Sequence, residues 1–135
     1  MTDSLPDFET IADDFAFIDD WDEKYRYIID LGRRLPPLSD DERSEANKVR
    51  GCASQVWLVF DELDQAVRFR GDSDAAIVKG LVGLMIALFS GRSKEEIQKI
   101  DAQAKLAELE LQEHITPQRS NGVVSMIGRI KDEAA

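Results

Sequence analysis

Cys52 is the one strong nucleophile in the chain, and its setting is unusual. It follows Gly51 and precedes Ala53-Ser54, where a polar segment gives way to the apolar run Gln55 to Phe60. Glycine reaches backbone angles closed to other residues, so a tight turn presenting Cys52 is expected. Lys48 and Arg50 lie four and two residues upstream. In an extended segment a period of two puts both on the side of Cys52. Positive charge there favours thiolate over thiol, and each unit of lowered pKa raises the thiolate fraction about tenfold. A lone cysteine is also commonly a small buried hydrophobe, and local pattern alone leans slightly that way. His114, the only histidine, would complete a thiol–imidazole pair if the fold brought it to Cys52. Its place in a polar linker before Thr116 suits a capping or surface role better. Arg119 falls in the first turn of the last helix, where a cation is mildly unfavourable. It is either solvated or held for an anion or an acidic surface. Asp72 and Asp74 read most simply as helix caps.

The elements that must position these residues follow from periodicity. Phe8, Ile11, Ala12 and Phe15 form one stripe of an amphipathic helix with an acidic outer face, Pro6 suiting its first turn. Trp21, Tyr25, Ile28 and Leu31 form a second stripe, with Asp20 as N-cap and an end forced near Gly32 to Leu35 by Pro36-Pro37. Ser39 to Asn47 reads as a polar turn or loop. Gln55 to Phe60 predicts a strand buried on both faces, and Val67 to Arg70 alternates like a half-exposed one. The polar span Asp61 to Gln65 joins them as a hairpin, and Lys48 to Gly51 offers a further short edge. Ala75 to Phe89 carries Lys79 as its only charge and spans about 15 residues, short of the roughly 20 a bilayer core demands, so it predicts a buried central helix. Gly80 and Gly83 within it would be offset by close packing on a neighbour. Ser93 to Ile100 and Ala102 to Leu111 predict short helices. Thr116-Pro117 starts a last one, with Val123, Met126, Ile127 and Ile130 inward. The sum is α+β: a small antiparallel β-sheet packed against several helices.

Composition narrows the function classes. The chain of 135 residues suits a single domain, residues 1–135, and 43% hydrophobic content is enough for a core. Its 27 acidic and 17 basic residues give a net charge of -10, which disfavours nucleic acid and anionic membranes as partners. Residues 1–45 hold 14 of the acids and 5 of the bases, so the acidity belongs to the N-terminal third. One Cys and one His cannot make a disulfide, a structural zinc site or an iron–sulfur cluster within this chain. An acidic start without a basic n-region predicts no signal peptide and a cytoplasmic location. No phosphate-cradling glycine pattern is present.

Four ordered blocks carry a resemblance. Asn47-Lys48-Val49-Arg50-Gly51-Cys52-Ala53-Ser54-Gln55-Val56-Trp57-Leu58 strongly resembles the cysteine segment of the SufE family of sulfur acceptors. Gly71 to Leu81, His114 to Gly122 and Trp21 to Gly32 resemble further family blocks, leaving Ser90 to Glu113 unmatched. The resemblance implies a SufE/IscU-like fold, with the cysteine on a loop that rests turned inward and opens at a partner. It implies that Cys52 takes sulfur, as a persulfide, from a cysteine desulfurase of the SufS or CsdA type and passes it toward an iron–sulfur scaffold. It also implies that the chain activates that desulfurase. The pyridoxal phosphate would belong to the desulfurase, and this chain would bind no cofactor or metal. Lys48, Arg50, Gly51, Asp74 and Arg119 are the supporting or partner-docking residues expected beside Cys52. Two other readings stand against this one: a free-standing thiol enzyme using Cys52 with His114, and a cofactor-free adaptor with an inert Cys52. An exposed apolar patch at the loop would allow a weak homodimer.

Overall fold

The structure, a computed structural model, describes residues 5–135. Helix α1 spans Phe8–Phe17 and α2 spans Trp21–Arg33. Strands β1, Val56–Glu62, and β2, Arg68–Ser73, form an antiparallel hairpin. Helices α3, Ala76–Phe89, α4, Lys94–Lys99, and α5, Ala102–Glu108, follow, then a 3-10 turn at Leu111–Glu113 and α6, Pro117–Glu133. Six α-helices with a two-stranded antiparallel sheet make the described residues α+β, as the periodicity predicts. None of these helices is long and apolar enough to cross a membrane.

Apolar α3 runs through the centre, with α1, α2, β2 and α6 packed around it. Its crossing with α2 is set by glycine. A side chain at Gly80 would run into the Ile28 carbonyl and lie 2.5 Å from Ile28 Cγ2, and one at Gly32 would lie 2.8 Å from the Gly80 nitrogen. Gly83 has ordinary room, its nearest neighbour being Leu31 Cβ at 3.5 Å, so close packing explains only one of the two α3 glycines.

Several local expectations change in the folded chain. Asp7 caps α1 through a 2.9 Å bond from Thr10 N, leaving Pro6 outside the helix. Strand β2 continues past the alternating stretch through Gly71, Asp72 and Ser73, since Gly71 lets Leu58 and Val82 close on it. The residue before α3 is Ala75, with no side-chain cap, so Asp72 and Asp74 do not cap α3. Asp72 is instead buried on β2 opposite Trp57, where Arg43 Nη2 donates to its carboxylate at 2.8 Å and Lys79 Nζ lies 3.3 Å away. Strand β1 is fully buried only over Val56, Trp57 and Leu58; the Arg43 guanidinium covers Trp57, and from Val59 onward the strand is partly exposed. Helix α5 stops at Glu108 rather than Leu111, because Glu110 adopts a left-handed conformation (φ 59°) and the chain re-enters the core with Leu111 buried.

Candidate functional site

The short edge before Cys52 forms, but over Asn47 to Val49, with Arg50 and Gly51 already in the turn. Lys48 bridges to Trp57, Val49 N donates to the Val56 carbonyl at 2.8 Å and Leu58 N donates to the Asn47 carbonyl at 2.9 Å. Residues 47–49 and the start of β1 are therefore the stem of a tight hairpin, and residues 50–55 are its loop. Gly51 supplies the turn with φ at +92°, a conformation L side chains rarely adopt. At the far end Gln55 N donates to Asp74 Oδ1 at 3.0 Å and Asp74 N donates to the Gln55 carbonyl at 3.3 Å. The exposed Asp74 thus anchors the loop.

The left-handed turn sends Cys52 inward. Its Sγ–H donates to the Gly122 carbonyl on α6 at 3.6 Å, and the side chain is half-buried. It faces a small cavity floored by Val78 and Met126 and edged by Gln118 and Arg119. Burial pushes the Cys52 thiol above its ordinary value. At rest the thiol is mostly protonated at neutral pH, and so is a poor nucleophile.

Lys48 and Arg50 are not among the residues around that cavity. Extended alternation ends at Gly51, so the two cations line a separate open groove with Ser125, Arg129 and Asp132 of α6. Arg50 is largely exposed, 3.8 Å from Glu45. The expected convergence of three side chains fails in this inward state, because the turn that presents the cysteine also rotates it away from them.

Among the described residues Arg119 is the only charged side chain lining the cavity, in the first turn of α6, where Thr116 Oγ1 accepts from its backbone N–H. Among the described residues no acidic side chain pairs with it, and it also borders a neighbouring groove with Tyr25, Ile77 and His114. His114 is engaged elsewhere. Its ring stacks on Trp21 at 3.7 Å, its carbonyl accepts from the Tyr25 hydroxyl, and it does not line the Cys52 cavity. No Cys52–His114 pair exists in this structure. The described residues hold no cluster of three or more His, Cys, Asp or Glu placed to bind a metal ion.

Sequence reasoning assigned no role to Gly122, Ser125 or Arg129, which all meet the Cys52 segment from α6. A signal was available. Gly122 and Ser125 are small residues three apart, off the apolar stripe of Val123, Met126 and Ile130, as a helix shows where another backbone approaches closely.

The chain is similar to known proteins along nearly its whole length. A solution structure of a hypothetical protein from Thermus thermophilus superposes with a TM-score of 0.76, covering 98% of this chain and 96% of that one at 19% identity, which speaks for the fold alone. An uncharacterised SufE-like protein of Rhizobium meliloti (strain 1021) is 48% identical over 134 residues, covering 96% of each chain. Another, from Rhizobium etli, is 46% identical over 134 residues, 96% of this chain and 90% of the relative. The family model for SufE, described as an Fe-S metabolism associated domain, matches residues 9–134. With the cysteine loop, its glycine turn and its α6 support inside that matched span, the chain belongs to the SufE family and is thereby associated with iron–sulfur metabolism.

Proposed function

We propose that this chain is a sulfur acceptor that takes sulfane sulfur on Cys52 from a pyridoxal-phosphate cysteine desulfurase, activates that enzyme, and relays the sulfur to iron–sulfur cluster assembly in the cytoplasm. The observation that carries the reading is the placement of the sole cysteine at the tip of a tight loop, half-buried over an apolar floor, in a SufE-family chain. The chemistry is thiol–disulfide exchange with a persulfide. The Cys52 thiolate attacks the outer sulfur of the desulfurase cysteine persulfide. A new S–S bond forms on Cys52, the old one breaks, and the desulfurase cysteine leaves as thiolate with no net oxidation. One cysteine suffices, and no base on this chain is required if the thiol ionises as the loop opens. Clearing the persulfide frees the desulfurase for its next turnover. Folded back, the loop would keep the labile sulfur over Val78 and Met126, away from water and reductant.

Intact-mass measurement after mixing with a cysteine desulfurase and free cysteine tests this. The protein should gain ~32 Da per sulfur, removable by reductant and absent in Cys52→Ser. Desulfurase turnover should rise with the native chain and not with Cys52→Ser. A native chain that gains no mass beside an active, matched desulfurase overturns the proposal.

Arg119 is the proposed docking cation, being exposed and unpaired at the cavity edge. Arg119→Gln should lower desulfurase stimulation roughly tenfold while leaving alkylation of free Cys52 near the native rate, since burial sets the resting thiol. Asp74 differs, because its carboxylate holds Gln55; its reversal should change both stimulation and free-thiol reactivity.

A further inference from the structure

We infer that Arg129 is the positioning residue that holds the Cys52 loop inward, by gripping the stem from which the loop springs. The inference rests on the reading of Cys52 as the sulfur acceptor. Asn47 and Val49 turn their polar backbone groups to β1, as their bonds with Leu58 and Val56 show. The Lys48 carbonyl therefore points the other way, and the Ala46 carbonyl does so from the turn closed by the Lys48 N–H on the Glu45 carbonyl at 3.2 Å, so both face α6 rather than β1. One side chain takes both. Arg129 Nη2 donates to the Ala46 carbonyl at 2.8 Å and Nη1 to the Lys48 carbonyl at 3.1 Å. Its Nε donates to Glu133 Oε2 at 3.0 Å one turn later, which fixes the plane of the fork. A guanidinium thus ties the turn and the bridge to α6, with donors spaced for two acceptors at once, which a lysine ammonium cannot match.

The rest of that helix face continues the hold. Gly122, Ser125 and Arg129 follow i, i+3, i+7 spacing, and they meet Cys52, Gly51 and Lys48 in turn. Of these three, Arg129 alone contributes charge-assisted bonds. With the stem pinned, opening is confined to the span between Arg50 and Gln55, so the thiol swings out without peeling the edge strand from the core. Without the fork, the stem and loop loosen together and Cys52 spends more time exposed.

Alkylation of Cys52 by iodoacetamide across pH, on the full chain with no desulfurase present, tests this. The variants are Arg129→Ala and Lys131→Ala. Lys131 is a comparable tether on the same helix, donating to the Ile100 carbonyl at 2.7 Å, remote from the Cys52 loop. Arg119, the charged side chain that the described residues place on the thiol cavity, is intact in both. Arg129→Ala should alkylate about tenfold faster at neutral pH, the bias expected of one charge-assisted hydrogen bond, with its pH midpoint moved down toward an ordinary thiol. Lys131→Ala should follow the native rate and midpoint. The inference is overturned if Arg129→Ala keeps the native profile, or if Lys131→Ala accelerates as much, since general loosening would then explain the effect. Because no desulfurase takes part, a chain that behaves as expected here yet gains no sulfur would retain the clamp and lose the carrier role.

Discussion

Gly80→Ala should destabilise the protein by about 3 kcal/mol and lower its Tm by roughly 10 °C, while Gly83→Ala three residues later should be neutral or stabilising. Helix propensity alone favours alanine at both positions by about 1 kcal/mol. The difference lies across the α2–α3 crossing. A Cβ at Gly80 meets the Ile28 carbonyl and carbonyl carbon, backbone atoms that cannot rotate aside, so α2 must move off α3. A Cβ at Gly83 meets Leu31 at ordinary contact distance. Thermal melts of both variants decide it, and equal shifts would show that the helices accommodate a methyl group. The function is exposed to the same crossing. Val78, two residues before Gly80, floors the Cys52 cavity, so Gly80→Ala should also alter thiol reactivity at temperatures where the protein is still folded.

Gly80 and Gly83 also show where sequence reading reaches its end. Both could be read as helix-weakening residues that need a close neighbour, but which one has it depends on the register of α2 against α3. The elements themselves were legible where one residue type dictates local geometry. Asp20 caps α2 and Thr116 caps α6, and the apolar stripes of α1, α2 and α6 face the core. Asp72-Ser73-Asp74 misleads because a cap and a strand end share the same residues. Only the approach of Arg43, 29 residues upstream, and of Lys79 on the following helix makes burial of Asp72 tolerable and extends β2. At the site, the cysteine, its glycine turn and Arg119 were legible. The inward direction of the thiol came only through the family resemblance and not from residue spacing, because it depends on a carbonyl 70 residues away. Lys48 and Arg50 looked like thiol activators for the same reason: one left-handed residue reverses the facing of everything after it.

Asp72→Asn should cost about 2 kcal/mol at pH 7, and the cost should vanish in acid. Removing one partner of a fully buried ion pair costs more, but Arg43 and Lys79 keep 37% and 28% side-chain exposure, so water screens part of the loss. Burial alone would raise the Asp72 carboxyl. The Arg43 hydrogen bond, the Ser73 N–H and the Lys79 charge outweigh it and hold the group below its ordinary 3.8. A folded-state pKa below the unfolded one gives stability that is complete above the unfolded value and lost as pH falls through the folded value. The native chain therefore loses this contribution below about pH 4, while the asparagine variant lacks it at every pH. Urea unfolding of both proteins at pH 7 and at pH 3 or lower should show a gap that narrows with acid. A gap of constant size would assign the loss to packing rather than charge. Asp72 also stands two residues before Asp74, whose carboxylate and N–H both bond Gln55. A loosened β2 end should therefore release the far side of the Cys52 loop, so the variant should alkylate faster at neutral pH. That gain should shrink in acid along with the stability gap, because a protonated Asp72 no longer draws Arg43 and Lys79 onto the strand.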